Sequence, residues 1–248
     1  MSDDTTQAAK RGVQVDLPRL PKARKFAGRH RKIDPGTVLV VGLGRFGSAT
    51  AITLHDMGVD VVAVDRNAQL VQHYASRLPY VLQLDSTDTD ALHQLGIDSI
   101  TRAVVAMSAI EASIITVLSL AEANVGEIWA KARTRTHGQI LERVGAHHVV
   151  YPERSAGERV GHAVAGHMID YFEFEDGFAI ARTDAPTFSW GRSLAESEIR
   201  GKYNVTVVGL KRMGEDFTYA VPETVVDRDD ELVVSGRRDL VEAFARLV

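Results

Sequence analysis

The chain has 248 residues, 45% of them hydrophobic and 25% charged, with no cysteine and a formal net charge of −4. That length suits one large domain or two modest ones with a substantial buried core, and two are expected. The missing thiol excludes disulfides, thiolate metal sites and a cysteine nucleophile, and is compatible with a reducing compartment, so the cytoplasm is the expected location.

Charge is unevenly placed. Within residues 1–36, Lys10, Arg11, Arg19, Lys22, Arg24, Lys25, Arg29, Arg31 and Lys32 oppose only Asp3, Asp4, Asp16 and Asp34, which leaves 20 basic against 29 acidic residues in the remainder. With Pro18, Pro21 and Pro35 and few periodic apolar positions, this segment reads as a flexible basic arm. Residues 1–7 are polar and acidic, so no secretory signal is expected. The most apolar stretch, residues 112–121, lies between Glu111 and Glu122 and falls short of the roughly 20 residues of a membrane span. Any membrane role would be peripheral.

The pattern changes at Thr37. Residues 38–41, Val-Leu-Val-Val, are an apolar run of the kind buried on both faces of a parallel sheet, and they end directly in glycine. Residues 45–57 have helical spacing, and Gly58 stands where a helix C-terminal cap would sit. The alternation repeats, with strands expected at 59–64, 80–84, 103–107, 127–132 and 148–151 and helices at 68–77, 87–95, 111–124 and 137–144. Repeated βα units of this size call for right-handed crossovers and a parallel sheet covered on both faces. Beyond Tyr151 the rhythm breaks. Residues 155–171 read as one long helix, 172–182, 206–211, 217–221 and 231–235 have β character, and 194–200 and 240–247 read as helices. The expected architecture is α/β: a basic arm at 1–36, a Rossmann-type parallel-sheet domain at 37–154, a crossover helix at 155–171 and a small α+β domain at 172–248.

Gly42, Gly44 and Gly47 fit G-x-G-x-x-G, in which the first glycine permits a tight turn, the second lets the backbone approach phosphate and the third allows close packing of helix on strand. The motif follows a predicted strand and opens a predicted helix. Asp65, closing the second strand, suits a ribose hydroxyl. A carboxylate there favours an unphosphorylated ribose, although the neighbouring Arg66 keeps NADP from outright exclusion. Arg45 and Phe46 lie inside the loop, where helix N–H groups attract anions and a guanidinium can add charge-assisted bonds; a solvated surface arginine is the alternative. Other strand ends converge on the same crevice: Asp85 and Ser86, Met107 and Ser108, Lys131, and Glu153. Each is otherwise a helix cap or a turn residue. A dehydrogenase also needs a proton donor or metal near its nicotinamide, and the nine scattered histidines supply no such set. A soluble NAD-dependent oxidoreductase therefore stands as the alternative reading.

The segments Val40-Val41-Gly42-Leu43-Gly44-Arg45-Phe46-Gly47, Val62-Ala63-Val64-Asp65, Asp85-Ser86-Thr87-Asp88, Gly96-Ile97, Trp129-Ala130-Lys131-Ala132, Val144-Gly145-Ala146 and Tyr151-Pro152-Glu153 resemble the regulatory subunits of Trk/Ktr potassium uptake systems, the KtrA/TrkA-like proteins. The resemblance runs over residues 37–248 and implies a nucleotide-binding RCK N-domain joined by the crossover helix to a smaller RCK C-domain. It implies a protein without a reaction of its own, assembling as homodimers into an octameric ring against an integral membrane potassium channel subunit, at the cytoplasmic face of the membrane. The ligands it implies are ATP and ADP, with NAD(H) in Trk-like members. Carried over, Asp65 would hold the ribose, Arg45 would reach the terminal phosphate across the dimer, and Glu153 would help place a divalent or monovalent cation there. Leu194, Ala195, Arg200, Val205, Thr206 and Pro222 correspond to the family's cyclic di-AMP (c-di-AMP) site, made shallower because Leu194 and Ala195 replace a pair that is commonly isoleucine; a plain packed helix with a surface arginine is the alternative. The basic arm would meet anionic headgroups or the channel, or remain a solvated tail. Nucleic-acid binding is not expected from an acidic body without a recognition motif. A stand-alone nucleotide sensor is the third reading.

Overall fold

The computed structural model describes residues 36–165, 168–174 and 176–248, so the basic arm lies outside the described residues apart from Gly36. The chain divides into two compact units between Tyr151 and Pro152.

The first unit is built on β1 (Val38–Val41), β2 (Val61–Asp65), β3 (Val81–Gln83), β4 (Arg102–Val105), β5 (Glu127–Lys131) and β6 (His148–Val150), alternating with α1 (Arg45–Asp56), α2 (Ala68–Tyr74), α3 (Thr89–Leu95), α4 (Ile110–Glu122) and α5 (Arg135–Arg143). All pairings are parallel and the strand order is β3-β2-β1-β4-β5-β6. The all-valine and leucine β1 follows from burial on both faces. Leu39 and Val41 join a core with Leu92 of α3, Val117 and Leu120 of α4 and Leu141 of α5, whereas Val38 and Val40 join a second core with Ala51 of α1. Side chains that alternate between faces, each face covered by helices, leave no position for a polar residue.

Helix α4 buries a polar stripe beside its apolar core residues Val117 and Leu120. Ser113, Thr116 and Ser119 are buried while Ile110, Ile115 and Leu118 are exposed. Each buried hydroxyl has a partner: Thr116 Oγ1 donates to Ser86 Oγ at 2.9 Å, Ser119 pairs with Thr89, and Ser113 pairs with His137. The Arg133 N–H donates to His137 Nδ1 at 3.2 Å, which makes Nε2 the protonated nitrogen and the donor to Ser113 Oγ at 2.9 Å. The Ser113 hydroxyl in turn donates to the Ile110 carbonyl at 2.8 Å. Satisfied in this way, the polar stripe ties α4 to the loops after β3 and β5.

The second unit contains α6 (Pro152–Val164), β7 (Asp170–Glu173), β8 (Phe178–Asp184), β9 (Arg192–Ser193), α7 (Leu194–Ser197), α8 (Ile199–Tyr203), β10 (Thr206–Lys211), β11 (Phe217–Tyr219), β12 (Val225–Val226), β13 (Glu231–Arg237) and α9 (Arg238–Ala245). Five strands form an antiparallel sheet in the order β11-β10-β13-β8-β7, and α9 packs on β8 and β13 through Val241, Phe244 and Ala245. The helix expected at 155–171 is shorter and starts earlier. Pro152 opens it, where a missing N–H costs nothing, and it ends at Val164. By Ile169, whose N–H donates to the Arg182 carbonyl at 2.7 Å, the chain has entered the sheet, and Tyr171 is buried in the core of this unit. The single helix expected at 194–200 is two short ones, because Glu198 takes φ +49° and breaks the run.

Burial pushes the His137 imidazole below its ordinary range, and the nearby Arg133 charge acts in the same direction. The unfolded chain therefore takes up this proton first as pH falls. The contribution of His137 to stability is full above about pH 6.5 and declines below it. Urea denaturation at about pH 7.5 and about pH 5.5 is expected to show a loss of stability in the wild type that is smaller in His137→Gln; equal losses would show that His137 does not carry the effect.

Candidate functional site

A crevice of about 270 Å3 opens at the carboxyl ends of β1, β2 and β4. The connections run in opposite directions from the sheet centre on either side of β1, and open α/β sheets bind ligands at such a switch point. The three motif glycines have different causes. Gly42 takes φ +95°, and a Cβ there would lie 3.1 Å from Met107 Cγ. At Gly47 a Cβ would fall 1.9 Å from the Gly42 carbonyl oxygen and 2.7 Å from Ala106 Cβ, so the approach of α1 to the sheet demands glycine. Gly44 has an ordinary φ of −65° and no protein atom within 4 Å of a Cβ position. Neither strain nor packing requires glycine at 44; in G-x-G-x-x-G loops the second glycine is the one that lets the backbone approach a phosphate. Gly44 is also the N-cap of α1, which has no side-chain cap and no acid in its first turn. Its first N–H groups and the positive end of the helix dipole are thus left for an anion.

Asp65 closes β2 and holds the loop in place. Its Oδ2 accepts the Leu43 N–H at 2.6 Å and its Oδ1 accepts the Asn67 N–H at 2.8 Å. Each carboxylate oxygen can accept a second hydrogen bond, so these contacts leave capacity for ribose hydroxyls. The residue set therefore fits a nucleotide: a phosphate cradle, a hydroxyl acceptor beside it, and an apolar lining from Val64, Leu70, Leu84, Ala106, Met107, Ala109 and Ala112. The chemistry it offers is binding and orientation; the polar lining side chains are Asp65, Arg66, Asp85, Ser86 and Ser108.

Gly42, Gly44, Asp65, Arg66, Asp85, Ser86, Met107 and Ser108 are brought together on this crevice. Arg45 and Phe46 open α1, with Arg45 exposed. Ser86 also serves the scaffold: it is buried, its hydroxyl accepts from Thr116 and lies 3.6 Å from Met107 Sδ. Asp85 does not start α3, whose N-cap is Asp88; it forms the preceding turn by accepting the Thr87 N–H at 3.0 Å and the Thr87 hydroxyl at 2.7 Å. Those bonds, the hydroxyl's first, hold the Asp85 carboxyl below the usual carboxylate range, and the Arg66 charge adds to them.

Lys131 and Glu153 do not line the crevice, contrary to the convergence expected for all strand ends. Lys131 is buried at the end of β5, two strands from β1 and so roughly 10 Å along the sheet. Glu153 lies in the first turn of α6, within the second unit. Among the described residues no group of three or more histidines and carboxylates could hold a metal by itself. In the smaller unit, the Ala195 N–H donates to the Pro222 carbonyl and the Leu194 N–H to the Thr224 carbonyl, both at 2.9 Å, which brings 194, 195 and 222 together. Val205 is fully buried and offers no free surface, Leu194 is partly buried against the core, and Ala195, Arg200, Thr206 and Pro222 are exposed. Asn67, absent from the expected site, fixes the turn after β2: its amide is held by Asp65 and its side chain caps α2 through the Gln69 N–H. An asparagine directly before a helical run is the sequence sign of that cap.

Residues 38–152 match the TrkA-N domain and residues 189–248 the TrkA-C domain, which defines a two-domain protein with a parallel-sheet domain followed by a smaller one. Ktr system potassium uptake proteins A and C of Bacillus subtilis (strain 168) are 31% identical over 207 residues and 33% identical over 211, covering 83% and 84% of this chain and 93% and 96% of theirs. The chain belongs to the Trk/Ktr family of potassium uptake proteins. The fold is similar to that of the GsuK RCK domain, with a TM-score of 0.61 and 21% identity over 90% of this chain, and of the GsuK channel, with a TM-score of 0.64 and 20% identity over 88%. The chain spans 50% and 40% of those two structures.

Gly44→Ala and Gly47→Ala are expected to separate. Gly44→Ala should melt with the wild type and lose at least about tenfold in affinity for a nucleoside diphosphate, whereas Gly47→Ala should fail to fold or melt far lower. Thermal unfolding with calorimetric titration checks both, and full binding by Gly44→Ala would show that the loop is not the cradle.

Proposed function

We propose that this chain is the cytoplasmic, nucleotide-sensing regulatory subunit of a potassium uptake channel or transporter, peripheral to the inner face of the membrane. The single observation that carries the reading is Gly44, a glycine that the protein's own packing does not require, at an uncapped helix N-terminus beside Asp65. Membership of the Trk/Ktr family supports the ion and the partner, an integral membrane potassium channel subunit, with this chain forming homodimers within an octameric ring.

Discriminating ATP from ADP requires a group that meets the terminal phosphate. Arg45 is exposed in the first turn of α1, and its guanidinium has no hydrogen bond or ion pair with the described residues. In this reading it reaches the terminal phosphate held by a partner subunit, and Glu153 helps place a cation there. A γ-phosphate adds charge that only a closed arrangement of Arg45 side chains and a cation neutralises, so ATP and ADP favour different ring shapes according to their difference in affinity. NAD(H) suits the ribose end equally, since Asp65 accepts any unphosphorylated ribose. A c-di-AMP site in the smaller unit would rest on Ala195, Arg200, Thr206 and Pro222.

Titration of ATP and ADP into the purified assembly tests the reading. Asp65→Ala is expected to weaken both nucleotides by about tenfold or more, and Arg45→Ala to erase an ATP-over-ADP preference while leaving ADP affinity within about threefold. Unchanged affinity in Asp65→Ala would refute the site. An intact preference in Arg45→Ala would refute the sensing role of that residue.

A further inference from the structure

Beyond the nucleotide crevice, and independently of it, we infer that the basic arm of this chain docks on the part of its own parallel sheet that α1 and α2 leave bare, with a cation from residues 29–32 over Trp129 and beside Glu127. Residues in register on adjacent strands point to the same face, so Val38 of β1, Arg102 of β4 and Glu127 of β5 share a face, and so do Val40, Val104, Trp129 and His148, two residues further along. Val38 and Val40 lie in the core with Ala51 of α1, which makes this the face on which α1 and α2 pack over β1, β2 and β3. The sheet runs on past those helices through β5 and β6, and Trp129 is 38% exposed there.

Trp129 is fixed by two neighbours. Its ring stacks on His148 with centroids 4.0 Å apart, and its Nε1–H donates to Glu127 Oε1 at 3.1 Å, an oxygen that also lies 3.3 Å from His148 Nε2. One face of the indole is thereby taken. Its other face remains, together with Glu127 Oε2, which accepts no hydrogen bond from the described residues. Tryptophan is the best side chain for holding a cation over its ring, and a carboxylate beside it adds to the attraction. The arm is the occupant delivered to this place. The carbonyl of Gly36, where the arm meets the sheet, is held by Arg102 Nη2 at 3.2 Å, and Arg102 lies in register with Glu127 on the neighbouring strand. Pro35-Gly36 is a turn-forming pair, which suits a chain that folds back over the strands. From Arg102 to Trp129 is one strand spacing across and two residues along, roughly 8 Å, which about three extended residues span. Lys32 and Arg31, four and five residues before Gly36, and Arg29 beyond them therefore reach the indole.

The test uses the full chain carrying Trp190→Phe, which leaves Trp129 as its one tryptophan, and compares it with the same chain in which Arg29, Arg31 and Lys32 are also replaced by glutamine. Acrylamide, an uncharged quencher, is expected to quench Trp129 fluorescence with a Stern–Volmer constant about twofold or more higher once the cations are removed, and the difference is expected to persist on dilution. Equal constants in the two chains overturn the docking, and phosphatidylserine vesicles bound by the first chain and not by the second would then assign these cations to a membrane. A difference that vanishes on dilution overturns the assignment to the chain's own arm in favour of a second copy's. In the reciprocal experiment, Trp129→Ala in the otherwise wild-type chain is expected to speed tryptic cleavage at Arg29, Arg31 and Lys32 by about threefold or more. Cleavage at the wild-type rate overturns the role of Trp129. Should Trp129→Ala not fold, the quenching comparison decides.

Discussion

The Asp65 carboxylate accepts the Leu43 N–H at 2.6 Å and the Asn67 N–H at 2.8 Å, and the geometry of the crevice depends on that pair of bonds. One bond holds the glycine loop after β1; the other shapes the turn after β2. The two strands are adjacent and parallel, so a single side chain sets the separation of their exits. An amide in place of the carboxylate would present an N–H donor to one of these N–H groups, which is why the position calls for an acid even before a ribose is considered. Loop architecture and the proposed ribose recognition thus call on the same residue.

Around this clamp, buried polar groups hold the loops in position. The hydroxyls of α4 anchor the loops after β3 and β5, and Ser86 on the crevice wall is reached from α4 through Thr116. What lines the crevice is consequently preorganised: glycine backbone, a carboxylate already oriented by amides, and a second carboxylate oriented by Thr87. Preorganised donors and acceptors give affinity without the cost of ordering them on binding. Such an arrangement suits a protein whose output is a change in population between shapes, since a ligand shifts that balance only by its differential affinity.

Much of the first unit is legible in the sequence because its signals are local. The Val-Leu-Val-Val run, the glycine spacing and Asp65 at the end of a strand each announce an element by composition alone, and the parallel sheet follows from the βα rhythm, although its strand order does not. The misplacements are non-local. Lys131 sits at a strand end as expected, but whether a strand end lines the crevice depends on its distance across the sheet from β1, and β5 is two strands away; Glu153 belongs to the first turn of α6, in the second unit. The end of α6 is set by the pairing of β7 with β8, and the break at Glu198 by a left-handed residue that no helix propensity signals. Val205 looks like a ligand contact in sequence and is a core residue because Leu232, Val234 and Phe244 pack in the same cluster. Gly44 is the opposite case. The motif suggests its role, and only the open space around its Cβ position separates that role from the structural ones of Gly42 and Gly47.

The central claim is that the crevice holds an adenine nucleotide as a regulatory ligand. Mass spectrometry of the small molecules released on denaturing the natively purified protein measures this most directly. ATP, ADP or NAD(H) is expected in amounts approaching one per chain in the wild type and strongly reduced in Gly44→Ala. Equal nucleotide content in the two proteins would contradict the account, as would wild-type protein that carries no nucleotide and acquires none when incubated with ATP, ADP or NADH.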